Sequence, residues 1–174
     1  EQYPGEVLRY VILSAHYRSE QQFSADLLDS AWRSLDTLYG FLRGQETSDA
    51  MLNPEGVGYR ALLDDLNSPL AISELYRLAK KMHAASGEAK ARVKAELMGL
   101  AKLMGLLQQD PGQWFTRARG GNDIGAEAIE ALIEKRKQAK SDKDYAGADR
   151  VRRDLLDMGV VLEDSREGTT WRRS

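Results

Sequence analysis

The feature that most constrains this chain is the helical spacing of its apolar residues, which recurs in successive segments from the first residues to about position 107. Leu8, Val11, Ile12 and Ala15 share one face of a short amphipathic helix running from Pro4 to about His16. Leu27, Leu28, Ala31, Leu35, Leu38 and Leu42 form the stripe of a second, opened by Ser24 as N-cap and closed near Gly44, with Trp32 and Tyr39 beside the stripe. A polar loop follows from Gly44 to Asn53, and then Pro54 and the run Tyr59, Leu62, Leu63, Leu66 predict a third helix. Asn67-Ser68-Pro69 stops that helix and starts another, since Asn67 or Ser68 can cap and Pro69 suits a first turn. Ile72, Leu75, Leu78, Ala79 and Met82 continue it to the turn at Ser86-Gly87. Val93, Leu97, Leu100, Met104 and Leu107 mark a fifth, ending before Asp110-Pro111-Gly112. Five helices with short connections predict an antiparallel helical bundle.

The pattern then changes. From Trp114 to Gly125 no apolar period survives, and Arg117, Arg119, Gly120, Gly121 and Asn122 read as a linker. We therefore divide the chain into a bundle over 1–116, a linker over 117–125 and a small module over 126–174. In the module, Ile129, Leu132, Ile133 and Arg136 share one helix, Ser141-Asp142 turns, and Ala148, Val151 and Leu155 face inward from a second, antiparallel helix that Gly159 caps. Val160 to Asp164 and Thr169 to Arg172 have the β-branched and aromatic content of a short hairpin, with Trp171 as its core anchor. The fold class expected is mainly α, a bundle followed by a helical hairpin plus a β-hairpin.

Composition excludes several functions. The 174 residues, 30% charged and with a net charge of -2, have the make-up of a soluble helical protein and contain no apolar run able to span a bilayer. There is no Cys, and two His alone make a poor zinc site, so neither disulfides nor a thiolate metal centre is expected; a cytoplasmic location fits. Gly120-Gly121 lacks the Lys-Ser/Thr ending of a phosphate-binding loop, Asp64-Asp65 reads as a solvated helix end before a divalent-cation site, and His16 reads as a packing or capping group before a ligand or RNA contact. No catalytic residues are identified.

One segment departs from the neutral average. Lys135 to Arg153 holds eight Lys or Arg against three acids. Within it Tyr145, Asp149 and Arg152 lie at i, i+4 and i+7, about 90° around the helix from the packing stripe. An aromatic ring can stack on an unstacked base, a carboxylate and a guanidinium can read its edges, and surrounding Lys can hold phosphates. The same pattern also describes a salt-bridged, solvated helix face.

Here the residues resemble a known family. Gly159-Val160-Val161-Leu162-Glu163-Asp164 followed by Glu167-Gly168-Thr169-Thr170-Trp171-Arg172-Arg173 resembles the C-terminal end of bacterial cysteinyl-tRNA synthetases. Lys143-Asp144-Tyr145-Ala146-Gly147-Ala148-Asp149 with Arg152 and Asp154 is similar to that family's helical hairpin. Glu6 to Tyr10, Leu13 to Ser19 and Leu63 to Ala71 resemble the segments preceding it, in the family's order. The resemblance implies a DALR-type bundle and an anticodon-binding domain from a class I ligase that joins cysteine to tRNA with ATP, a zinc ion holding the cysteine thiolate. The family's His-x-Gly-His and Lys-Met-Ser-Lys-Ser motifs are not in these residues, so this piece is expected to bind no cofactor itself, and its expected partners are tRNA-Cys and the catalytic domain of a longer protein. By resemblance Tyr145 stacks on a base, Asp149, Arg152 and Asp164 read base edges, and Lys140, where some relatives have Arg, contacts phosphate because it lacks the guanidinium fork. Arg9 and Arg18 are candidates for contact with the tRNA body or the catalytic domain. The alternative is a protein-interaction module, since the hairpin is also similar to the helical pairing motif of excision-repair nuclease subunits.

Overall fold

The computed structural model describes residues 3–45, 49–117, 124–165 and 168–173. They form two compact units, Tyr3–Pro111 and Gly112–Ser174.

The first unit holds α1 (Gly5–Ser14), α2 (Ala25–Leu42), α3 (Val57–Leu63), α4 (Ser68–Ala84) and α5 (Gly87–Met104). Local chemistry sets their starts. Ser24 accepts a hydrogen bond from the Leu27 amide at the head of α2, and Asn67 does the same for Leu70 at the head of α4, where Pro69 adds its fixed φ. Of the two expected capping candidates, Asn67 is the one used. α4 is the hub, in contact with α1, α2, α3 and α5. Its stripe of Ala71, Ile72, Leu75, Leu78, Ala79 and Met82 is buried, and the two alanines let neighbouring helices approach closely. Trp32 and Tyr39 of α2 are core residues too.

Two helices end earlier than their apolar periods. α5 stops at Met104 because Gly105 takes φ 68°, and Leu106 and Leu107, still buried, belong to the chain that follows. α3 stops at Leu63, after which Asp65 and Leu66 both sit at positive φ, 53° and 52°. Asp65 is not the free helix end expected of it. It accepts from the Tyr17 hydroxyl at 2.7 Å and from Arg18 Nη2 at 3.1 Å, with His16 Nε2 at 3.6 Å. These bonds tie the chain after α1 to the chain after α3.

A carboxylate is buried in this unit. Glu6 accepts from the Tyr39 hydroxyl, the Leu107 amide at 2.6 Å and the Gln109 side chain at 3.1 Å, joining α1 to α2 and to the segment after α5. A buried carboxyl group needs hydrogen-bond partners, and these bonds supply them.

The second unit begins within α6 (Pro111–Thr116), a short helix where the sequence predicts only the end of the bundle. Pro111 at its start is the available signal. By contacts the units divide at Pro111/Gly112, whereas the boundary expected from periodicity lies after residue 116. Part of the reason is Arg173, buried at the end of the last strand, which donates to the carbonyls of Thr116 and Ile124. The expected linker 117–125 falls mostly on residues 118–123, including Gly120 and Gly121, which lie outside the described residues.

Then come α7 (Ala126–Ser141), α8 (Tyr145–Asp157), β1 (Val160–Ser165) and β2 (Gly168–Arg173). The strands pair antiparallel, with Val160 opposite Arg173, Leu162 opposite Trp171 and Asp164 opposite Thr169. Ile129, Ile133, Val151, Leu155, Val160, Leu162 and Trp171 make one core between the helical hairpin and the sheet. The Trp171 indole donates to Glu130 at 2.6 Å, satisfying the polar end of its largest side chain. Gly159, at φ 76°, turns the chain from α8 into β1.

Candidate nucleic-acid interface

Two core stripes of the second unit end in charge at the same place. Along α7, Ile129 and Ile133 are followed at the next helical step by Arg136 and then Lys140. Along β1, Val160 and Leu162 are followed on the same face by Asp164. The chain geometry therefore brings Asp164 over Arg136. The guanidinium grips the carboxylate as a fork, Nη1 to Oδ1 at 2.9 Å and Nη2 to Oδ2 at 2.8 Å. The Thr169 hydroxyl, from the paired position on β2, donates to Oδ1 at 2.6 Å, and Lys140 Nζ donates to Oδ2 at 3.3 Å. Arg136 is 6% exposed while Asp164 and Lys140 are 47% and 45% exposed. The arginine fork, then Thr169, and finally Lys140, hold the Asp164 carboxyl far below the usual carboxylate range, against the effect of its partial burial. It is therefore an anion, and an acceptor only, at any physiological pH.

The turn into α8 places the remaining residues. Lys143 takes φ 61°, and Asp144 caps α8 by accepting from the Gly147 amide at 2.9 Å. A Cβ at Gly147 would meet the Asp144 carboxylate, so a larger residue there makes the capping side chain shift. Tyr145 opens the helix and stands 66% exposed. Asp149 and Arg152 follow on the solvent side of the buried Ala148, Val151 and Leu155. The negative charges of Asp164 and Asp149 both act on Arg136, which after the Asp164 hydrogen bonds helps to raise its pKa despite its burial.

The candidates separate into two groups. Tyr145, Asp149 and Arg152 are exposed and have no hydrogen bond or ion pair among the described residues. Asp164 and Lys140 are bound to one another, and all four principal acceptor positions of Asp164 are filled. In the first unit, Arg9 donates to the Gly105 carbonyl at 2.9 Å and lays its side chain over that glycine, closing the end of α5. Arg18 is held by Asp65 and by the Tyr17 hydroxyl at 2.8 Å. In the sequence, Arg136 shares the helical spacing of Ile129 and Ile133 and Thr169 falls in the hairpin, with no functional role evident for either. A fixed cation at a core position requires a counter-charge, and that was the available signal for Arg136.

Among the described residues there is no cluster of three His, Asp or Glu able to hold a metal, and no helix is long and apolar enough to cross a membrane.

Residues 59–108 match the DALR domain, and residues 125–172 match the cysteinyl-tRNA ligase anticodon binding domain. The chain is 48% identical over 176 residues to a cysteine–tRNA ligase of Saccharophagus degradans, an alignment covering 99% of this chain and 38% of that protein. It is 45% identical over 175 residues to the enzyme of that name from Xanthomonas campestris pv. campestris (99% and 37% covered). The corresponding Marinobacter nauticus protein is 43% identical over 182 residues (100% and 39% covered). The chain thus spans about 38% of the length of the curated relatives it matches. With both domains in sequence and similarity along its whole length, this chain belongs to the cysteinyl-tRNA ligase family, of which it carries the DALR domain and the anticodon-binding domain.

Proposed function

We propose that this chain binds tRNA-Cys and reads its anticodon on behalf of a longer class I ligase that attaches cysteine to tRNA in the cytoplasm. The observation that carries the proposal is the exposed row of Tyr145, Asp149 and Arg152 on α8, whose side chains make no hydrogen bond or ion pair among the described residues, within a stretch matched to an anticodon-binding domain. Tyr145 offers a ring on which an unstacked base can lie. Asp149 accepts from a base amino group, Arg152 donates to a base carbonyl or ring nitrogen, and the lysines neutralise phosphates. In this reading ATP and zinc serve the catalytic domain of the longer ligase. Arg9 and Arg18, already engaged within their unit, serve first to fix the bundle, and any contact with the tRNA body or the catalytic domain is made by the donors their internal bonds leave over.

The pairing-module alternative is not favoured, because the matched domain runs through both β-strands to residue 172 and the relatives are ligases over their whole similarity. Fluorescence anisotropy with a tRNA-Cys transcript, and with the same transcript carrying a replaced anticodon, tests the proposal at two salt concentrations. Wild type is expected to prefer the cognate transcript. Tyr145→Ala should weaken cognate binding about tenfold, the lower part of the range for one lost stacking contact. Equal affinity for the two transcripts sinks the assignment of Tyr145, Asp149 and Arg152.

A further inference from the structure

The filled acceptor set of Asp164 raises a physical problem for base reading. A carboxylate with four donors already on it has nothing to offer a base. Those four donors are not equivalent. The Arg136 fork comes from a buried, preorganised guanidinium at 2.8 and 2.9 Å, and Thr169 sits on the paired strand at 2.6 Å. Lys140 makes the longest bond, 3.3 Å, through a flexible and strongly hydrated side chain that is nearly half exposed in the last turn of α7. An exposed ion pair of this kind contributes little, so exchanging it costs little.

We infer that Arg136 and Thr169 are positioning residues that hold Asp164 aimed and ionised, and that Lys140 is a removable guard that moves to an RNA phosphate and uncovers one Oδ2 lone pair for a base amino group. The inference rests on the base-reading proposal above and adds a division of labour within it. Lys140 contributes salt-dependent affinity; Arg136 and Thr169 contribute discrimination without touching RNA. Because the carboxylate stays ionised it accepts only, so the uncovered position selects a donor edge, such as cytosine N4 or adenine N6, and rejects a carbonyl edge.

The experiment measures binding of the cognate and anticodon-replaced tRNA-Cys transcripts across a salt series for wild type, Lys140→Gln, Arg136→Lys and Thr169→Val. Lys140→Gln should reduce the slope of log K against log salt by about 0.7, the value for one phosphate contact on single-stranded nucleic acid, with the cognate preference kept or enlarged. Arg136→Lys keeps the charge and loses the fork, so its slope should match wild type while the preference falls about tenfold. Thr169→Val should lower the preference in the same sense. It lies outside the core, and it decides the matter if Arg136→Lys does not fold. Loss of preference in Lys140→Gln, or a wild-type preference in folded Arg136→Lys or in Thr169→Val, overturns the inference and leaves the reading by Tyr145, Asp149 and Arg152 intact. A wild type with no preference overturns both.

Discussion

Replacing Asp164 by Ala unpairs the fork of Arg136, whose side chain is only 6% exposed while the pair is intact, and the resulting loss of stability can be bounded. Breaking a fully buried ion pair by deleting one partner costs about 3–5 kcal/mol, most of it the penalty of the stranded charge. Asp164, however, is 47% exposed, so solvent reaches the vacated side and screens part of that penalty. We therefore expect Asp164→Ala to destabilise the second unit by about 2 kcal/mol. Removing the charge as well, in Arg136→Met with Asp164→Ala, should recover at least about 1 kcal/mol, because an apolar side chain on the Ile129 and Ile133 stripe strands nothing. Native-state hydrogen exchange of the amides in the Val160–Ser165 and Gly168–Arg173 ladder reads this unit without interference from the bundle. The pH dependence supplies a second readout. The folded carboxyl lies below its unfolded value near 3.9, so its contribution is complete above about pH 5 and is lost as pH falls from there toward the depressed native value. Asp164→Asn lacks that titration and should show a shallower acid limb than wild type. Additivity of the two single substitutions within about 0.5 kcal/mol would refute the coupling, and with it the claim that the fork organises this end of the module.

Two further outcomes follow from the bundle. Glu6→Ala removes the acceptor of the Tyr39 hydroxyl, the Leu107 amide and the Gln109 side chain at one buried point, and should cost the first unit about 3 kcal/mol in urea unfolding. A loss under about 1 kcal/mol would show that the site is open to water. Gly99→Ala puts a Cβ into the Met51 carbonyl, on a loop already bonded to α5 through the Met51 amide and Ala95 carbonyl at 2.9 Å; rigid backbone on both sides should make this cost about 2 kcal/mol, measured by the same unfolding.

Period located the long helices, but in the short ones it misplaced the buried face: Leu8, Ile12, Leu63 and Leu66 of the predicted stripes are exposed, while Val7 and Tyr10 of α1 and Ala61 of α3 are buried. The stripes of α2 and α4 stand out because Leu35, Leu38, Leu75 and Leu78 repeat for several turns, and the caps at Ser24 and Asn67 use side chains whose chemistry is local. The ends of α3 and α5 were less legible. Asp65 and Leu66 sit at positive φ, and the Asp65 side chain is bonded to Tyr17 and Arg18, 48 and 47 positions earlier, a pairing that no local propensity encodes. α6, at six residues, is too short for a period to register.

The same distinction explains the site. Tyr145, Asp149 and Arg152 were visible as a row because they lie on one helix, where spacing fixes direction. Asp164 was visible only as a residue, since its surroundings come from α7, twenty-eight positions earlier, and from the partner strand. Period alone says that Arg136 continues the Ile129 and Ile133 stripe and that Asp164 continues the Val160 and Leu162 face. It does not say that both stripes reach their ends together. Once they do, a charge at the end of each becomes a single ion pair, and the carboxylate expected to read a base becomes one that is first bound by the protein. Any chemistry at Asp164 must therefore begin by displacing a partner, and Lys140 is the partner most weakly held.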